Sequence, residues 1–375
     1  MEQVGMVRCG LYDLQKVRES LELLLEPLGG IARFVKPGQR VLLKPNLLSA
    51  KPPSAAVTTH PVIVQAVAEL VRAAGGEVLV GDSPGIGSLE RVAEKSGVGA
   101  AVQAAGARLV NFIETTQLAT EGVFRQLELS REYLEADVVI NLPKLKTHEM
   151  MTLTCGVKNL YGTVVGAAKA GLHLTAGHSR GLFAGLLLEI AYARPVALTI
   201  VDGVLAMEGD GPNSGTPREL GWLLAGTNPV AVDLVAARLA GIPTALLPVE
   251  QEAVRRGLPG SRWEDLELYG EPFEVADPPF RLPEGLDVQF GLPGFVKNLL
   301  RNHLTPLPAA DPDLCVLCGV CRDACPPDAI TLTKTALKVD SGRCIRCWCC
   351  RELCPHHALV VRRRLLLRLL DATKK

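Results

Sequence analysis

Residues 59–82, THPVIVQAVAELVRAAGGEVLVGD, place a helix and a strand in direct succession. Thr59 stands where a helix cap belongs, and Pro61 lies in the first turn, where a missing N–H costs nothing. Val62, Ala66, Leu70 and Ala73 recur at helical spacing. Gly75 and Gly76 end the helix, and the run from Glu77 to Asp82 has the length and apolar content of a buried strand. Arg40 to Lys44, just upstream, is a second such run. Strand, helix, strand in this order is the unit of a parallel sheet covered by helices.

The same alternation extends in both directions. Asp137 to Asn141 and Ala197 to Asp202 read as further strands, with helices at 180–193 and 228–240. Asn228 and Pro229 supply a cap and a first helical residue for the latter. The expected fold is α/β over residues 1–270, with a mostly parallel sheet and helices on both faces. Local pattern does not encode the strand order. With 48% hydrophobic and 21% charged residues, the chain is not a disordered one. Its 40 basic residues balance 40 acidic ones, which argues against nucleic-acid binding through a global positive field. No apolar stretch approaches the length of a membrane span, and Met1 to Gly10 lacks the pattern of an export signal. A cytoplasmic protein is expected.

Eight of the 11 cysteines form two runs, Cys315, Cys318, Cys321, Cys325-Pro326 and Cys344, Cys347, Cys350, Cys354-Pro355. Each has the C-x2-C-x2-C-x3-C-P spacing that holds a 4Fe–4S cluster. In paired runs the fourth cysteine ligates the other cluster. Cys315, Cys318, Cys321 and Cys354 therefore form one expected ligand set, and Cys344, Cys347, Cys350 and Cys325 the other. Disulfides fit poorly without an export signal, and structural zinc usually takes two C-x2-C pairs. The segments from Ala329 to Leu332 and Leu337 to Asp340 alternate like short strands between the runs. Residues 311–360 resemble a bacterial two-cluster ferredoxin. Cys349, beside Cys350, is an extra thiol and reads as a bystander; Cys9 and Cys155 read as small buried hydrophobes.

In open α/β sheets ligands bind beyond the carboxyl ends of the strands. Here those ends run into Lys44-Pro45-Asn46, Asp82-Ser83-Pro84-Gly85 and Asn141-Leu142-Pro143-Lys144-Leu145-Lys146-Thr147-His148. Lys158-Asn159 follows soon after, and the fourth strand opens into Asp202-Gly203 through Glu208, Asp210 and Gly215. Lys44, Asn46, Lys144, Lys146, Lys158 and Asn159 are the candidate holders of an anionic small molecule such as a phosphate or carboxylate. His148, Asp82 and Asp202 are the candidate acid–base groups, with His178 as a lesser proton carrier. The carboxylates from Asp202 to Asp210 also allow a divalent metal. Gly85-Ile86-Gly87 lacks the third glycine of a dinucleotide fingerprint, and there is no P-loop.

These strand-end motifs, together with Lys158-Asn159-x-x-Gly162, Gly211-Pro212 and the segment from Ala225 to Asp233, resemble the bacterial and archaeal domain of unknown function 362. The likeness covers about residues 1–250, and members often carry a ferredoxin-type domain. It implies an iron–sulfur protein of mainly anaerobic metabolism and delivers no reaction or substrate. Residues 271–310 read as a Pro/Gly-rich linker with a short helix at 294–304. The tail, 361–375, sets Arg362, Arg363, Arg364, Arg368, Lys374 and Lys375 against Asp371. It reads as a helix packed on the body, with peripheral contact to a membrane surface or an acidic partner as the alternative.

Two classes of function follow. One is a ferredoxin-linked oxidoreductase that takes electrons from a redox partner, such as a ferredoxin or another oxidoreductase, through two 4Fe–4S clusters to an anion in the cleft. The other is an electron-transfer or docking subunit whose clusters relay electrons or staple the fold. A non-redox enzyme acting on a phosphorylated substrate is the weaker third.

Overall fold

The computed structural model describes residues 1–120, 122–124, 126–166, 168–177, 179–284 and 306–362. The helix expected at 294–304, His178 and the tail from residue 363 lie outside these. The first strands are β1 (Glu2–Arg8), β2 (Arg40–Pro45), β3 (Glu77–Asp82) and β4 (Arg108–Asn111), followed by a separate hairpin of β5 (Thr115–Ala119) and β6 (Gln126–Ser130). Next come β7 (Val138–Leu142), β8 (Lys144–His148), β9 (Thr152–Thr154), β10 (Leu198–Glu208), β11 (Thr216–Gly226) and β12 (Leu266–Gly270). The main sheet runs β12-β1-β11-β10-β7-β2-β3-β4. From β10 to β4 every pair is parallel, whereas β11 lies antiparallel between β10 and β1.

Both faces are covered, which is why the strands read as unbroken apolar runs. Along β2, Val41 and Leu43 pack into one layer with Leu21, Val64 and Val67, while Leu42 packs into the opposite layer with Phe183 and Leu187. Each such side chain, fully removed from water, contributes about 1.5–3 kcal/mol before entropy is charged against it. The helices Arg180–Ala193 and Pro229–Leu239 fall where their periodicity places them, the latter capped by Asn228. In helix Pro61–Ala73 the cap is His60, whose Nδ1 accepts from the Val62 N–H at 3.3 Å. Thr59 does something else. Its hydroxyl accepts from the Asn46 N–H at 2.9 Å and donates to the Leu142 carbonyl at 2.6 Å, joining the ends of β2 and β7.

The stretch from Lys144 to His148, expected as a polar strand-end loop, is strand β8, and all five of its residues are buried. Pro143, with no N–H to give, interrupts the path from β7, and β8 then continues along β10 with Lys144 opposite Asp202. β8 turns back on β9, which places Lys146 and His148 inside the protein.

The cysteine-rich segment forms a small module of two antiparallel strand pairs, one joining its two ends and one a central hairpin. β13 (Leu307–Ala310) pairs with β16 (Leu359–Arg362), and β14 (Ile330–Leu332) pairs with β15 (Leu337–Val339). The module thus takes in a strand ahead of residue 311. Residues 271–284 lie along the α/β body, with Phe280 buried and Arg281 2.7 Å from Glu208. Among the described residues no helix is long and apolar enough to cross a membrane.

Candidate functional site between the α/β cleft and the cysteine module

The lysines at the strand ends separate into two kinds. Lys44 and Lys144 are closed into buried ion pairs. Lys44 Nζ lies 2.7 Å from Asp82 Oδ1, and Asp82 also accepts from the Leu47 N–H at 2.7 Å and the Ser83 N–H at 2.9 Å. A Cβ at Gly162 would collide with both Asp82 Oδ1 and Lys44 Nζ, so this pair requires a glycine facing it. Lys144 Nζ lies 2.8 Å from Asp202 Oδ2, and neither side chain reaches solvent. Tyr12 completes that group. Its hydroxyl donates to Asp202 Oδ1 at 2.7 Å and accepts from Lys144 at 2.8 Å, and its ring stacks on His60 at 3.5 Å. Burial pushes the pKa of both lysines down, and the partner aspartate opposes that in each case. These pairs shape the floor of the cleft and leave little free charge.

Lys146 and Lys158 are different. Lys146 Nζ donates to the Val57 carbonyl at 2.7 Å and to Asn46 Oδ1 at 3.1 Å, both neutral acceptors. Burial, then Lys158 and Lys144, hold its pKa well below the ordinary lysine value. Lys158, on the short helix Gly156–Asn159, keeps partial exposure and sits 5.7 Å from the Tyr161 ring centroid. Asn159 reaches the Lys44 carbonyl at 3.0 Å and Asn141 Oδ1 at 2.8 Å, tying the helix to the floor.

The carboxylate facing these lysines comes from the cysteine module. Glu352 acts on both Lys146 and Lys158, and its Oε1 lies 3.2 Å from His148 Nε2. Burial raises the Glu352 pKa, while Lys158 and Lys146 pull it down. His148 Nδ1 accepts from the backbone N–H of Met150 at 3.0 Å and Met151 at 3.1 Å. In the neutral ring the proton therefore sits on Nε2, toward Glu352, where no well-aligned hydrogen bond satisfies it. Burial first, then Lys158, holds the imidazole neutral well below its usual range.

Sequence reasoning missed four residues here. Tyr12 follows β1, which runs parallel to β10, so the strand-end rule would have reached it had the sheet order been known. Lys169 donates to Ser83 Oγ at 2.9 Å, and burial lowers its pKa to about 8. His173, given no role from sequence, stacks on Phe183 at 4.2 Å beside Tyr161. Glu352 was hidden inside the cysteine run.

The carboxylates expected to attract a divalent metal are all engaged by cations. Asp202 binds Lys144, Glu208 binds Arg218 at 2.9 Å and Arg281 at 2.7 Å, and Asp210 binds Arg351 at 2.8 Å. Among the described residues no three His, Cys, Asp or Glu side chains are placed to share one metal ion. A cubane cluster asks for something else, one thiolate on each iron corner. Cys315, Cys318, Cys321 and Cys354 line one hollow, and Cys325 is grouped with Cys344 and Cys347. Backbone N–H groups of Ala329 and Ala358 approach the Cys325 and Cys354 sulfurs at 3.2 and 3.3 Å, as suits thiolate ligands. The two runs also repeat their backbone. Leu317 and Arg346, Gly319 and Trp348, and Asp328 and His357 occupy matching positions, all with positive φ. The residues fit the cluster that their spacing implies.

The module is seated on the cleft. Ile345, Cys347, Trp348 and Cys349 pack with Met150, Met151, Val157 and Tyr161. Arg351 pairs with Glu149 and with Asp210, and His357 bridges Ser214 Oγ at 2.6 Å and Lys51 Nζ at 3.1 Å. Cys349 hydrogen-bonds the Cys347 sulfur. Cys155 is buried in the α/β core, and burial pushes its thiol well up.

Residues 41–238 match the domain of unknown function DUF362, and residues 308–331 match the 4Fe-4S binding domain. The thylakoid-associated protein sll1697 of Synechocystis sp. is 41% identical over 303 residues, covering 80% of this chain and 94% of that protein. The solved lactate racemase apoprotein from Thermoanaerobacterium thermosaccharolyticum aligns with a TM-score of 0.42 at 12% identity, over 64% of this chain and 57% of its own. An α/β body with these strand-end motifs, carrying a 4Fe–4S binding module, belongs to the DUF362 family.

Proposed function

We propose that the protein is a ferredoxin-linked oxidoreductase in which two 4Fe–4S clusters feed electrons to a small anion held between Lys146 and Lys158. One observation carries the reading: among the described residues neither the buried Lys146 nor the half-buried Lys158 closes an ion pair, and the carboxylate whose charge acts on both, Glu352, belongs to the cysteine module. An ammonium out of water without a full counter-charge is costly, so such a site favours an anionic ligand. When bound, the clusters supply electrons one at a time. The chain's own residues bind the anion, hold His148 Nε2–H toward it and keep water out with Tyr161 and Trp348. Lys44 and Lys144, neutralised by Asp82 and Asp202, serve as structural floor. The expected partner is a one-electron carrier protein.

A second reading treats the clusters as staples for a docking subunit. It draws on the apolar seating of Ile345 and Trp348, since a small module gains stability from its metal centres. Calorimetric binding of inorganic phosphate and of small carboxylates, combined with anaerobic reduction, separates the two. The oxidoreductase reading expects anion binding that Lys158→Gln weakens, together with reducible clusters. Anion binding unchanged in Lys158→Gln would remove the cleft assignment.

A further inference from the structure

The two cysteine loops have the same backbone and opposite surroundings. In the second loop Ile345 is 9% exposed and Trp348 4%, both covered by the α/β body. Their counterparts in the first loop are Val316, 62% exposed, and Gly319, which is buried but has no side chain to be covered. Cys347 is buried, whereas its counterpart Cys318 is exposed. Leu314, one residue before the first ligand, is 49% exposed as well. Among the described residues, the repeated module therefore has one cysteine loop sheathed by its own chain and the other open, with two apolar side chains flanking the half-buried ligand Cys315 close to the exposed ligand Cys318.

We propose that electrons enter through the first loop, where Leu314 and Val316 form the docking patch for a one-electron carrier protein, and pass inward to the second loop beside Lys158 and Glu352. This rests on the redox reading above. Each encounter moves one electron. The reduced carrier is oxidised by one electron and the cluster at Cys315, Cys318, Cys321 and Cys354 is reduced by one, so two encounters serve one two-electron acceptor. Among the described residues the patch carries a modest field for steering: Arg322 and Asp323 pair with each other at 2.8 Å, and Asp311 and Asp313 are the other charges of the loop. Recognition then depends on apolar contact of the small kind used by transient redox partners, not on long-range attraction. The sheathed loop has no such freedom, because Arg351 and Glu352 hold it against Glu149, Asp210 and His148.

The test is anaerobic stopped-flow reduction of the cluster-loaded full chain by flavodoxin hydroquinone, whose spectrum is distinct, with dithionite as the small-molecule reductant. Val316→Glu and Leu314→Glu are compared with Val275→Glu, an exposed site on the α/β body. The expected result is a second-order rate with flavodoxin about tenfold lower or more for the two loop variants, within the spread seen among mutants of one interface. Val275→Glu, dithionite reduction and the midpoint potentials stay as in the unaltered protein. Equal flavodoxin rates in all variants would overturn the entry site and leave the redox reading standing. So would an unaltered protein that dithionite reduces and flavodoxin does not. Clusters that neither reductant can reduce would overturn both.

Discussion

Glu352 Oε1 lies 3.2 Å from His148 Nε2, a contact between the short helix Cys349–Glu352 of the second cysteine run and the buried strand β8. The two residues are far apart in sequence and belong to different modules. Their approach makes the cleft a joint construction: the α/β body supplies Lys146, Lys158 and His148, and the iron–sulfur module supplies the carboxylate opposite them. Each consequence can be checked separately.

The ion pairs at the floor of the cleft are buried. Asp202→Asn leaves the Lys144 ammonium without its counter-charge at a site closed to solvent, and breaking such a pair costs about 3–5 kcal/mol. Chemical denaturation under nitrogen should show a loss of that order. A loss below about 0.5 kcal/mol, typical of ordinary surface changes, would mean that the pair is not closed.

Lys158→Gln should behave in the opposite way. The side chain is partly exposed and has no carboxylate of the α/β body beside it, so stability should change little. Affinity for phosphate or a small carboxylate should fall about tenfold or more, since a hydrogen bond to a charged group is worth about 1.5–3 kcal/mol. Isothermal titration calorimetry reads both the affinity and its loss.

Lys169 sets a pH dependence. Its folded pKa is about 8, below the ordinary lysine value of 10.5, so the unfolded chain binds more protons between those values. Stability contributed by this group therefore rises with pH from about 8 upward, and the penalty for its buried charge is fully present below that. The difference in unfolding free energy between the unaltered protein and Lys169→Met should move in favour of the former between pH 8 and 10. A flat difference would show that Lys169 titrates as an ordinary surface lysine.

Gly162→Ala places a methyl group against Asp82 and Lys44. Overpacking of this kind costs about 1–3 kcal/mol. Because the collision falls on a buried ion pair, a value at the upper end is expected from thermal unfolding. A neutral result would place the Lys44–Asp82 pair elsewhere.

Cys354→Ser tests crossed ligation. If the fourth cysteine of each run serves the other cluster, the variant loses the centre held by Cys315, Cys318 and Cys321 and keeps the one beside the cleft. Iron content should fall to about half, and the remaining electron paramagnetic resonance signal should be the one that responds to Lys158→Gln. Loss of the cleft-side signal instead would place Cys354 with its own run.

The α/β layers were legible because strands buried on both faces and amphipathic helices leave period and length in the sequence. The helix Arg180–Ala193 coincides with its expected range for that reason. β8 was not legible. Lys144, Lys146, Thr147 and His148 look like a solvated loop, and only the carboxylates and carbonyls of distant segments make their burial affordable. Pairing Lys144 with Asp202 and Tyr12 needs the strand order, which local pattern does not carry. Glu352 was concealed by the stronger signal around it, since the cysteine spacing from Cys344 to Pro355 points to a cluster and not to the cleft.

An anaerobic potentiometric titration followed by electron paramagnetic resonance, with and without phosphate, bears most directly on electron delivery to the cleft. Two reversible signals within the window of about −700 to +450 mV are predicted, with phosphate perturbing the cleft-side signal and Lys158→Gln abolishing that perturbation. Clusters that remain unreduced across the window, or signals indifferent to phosphate and to Lys158, would contradict the account.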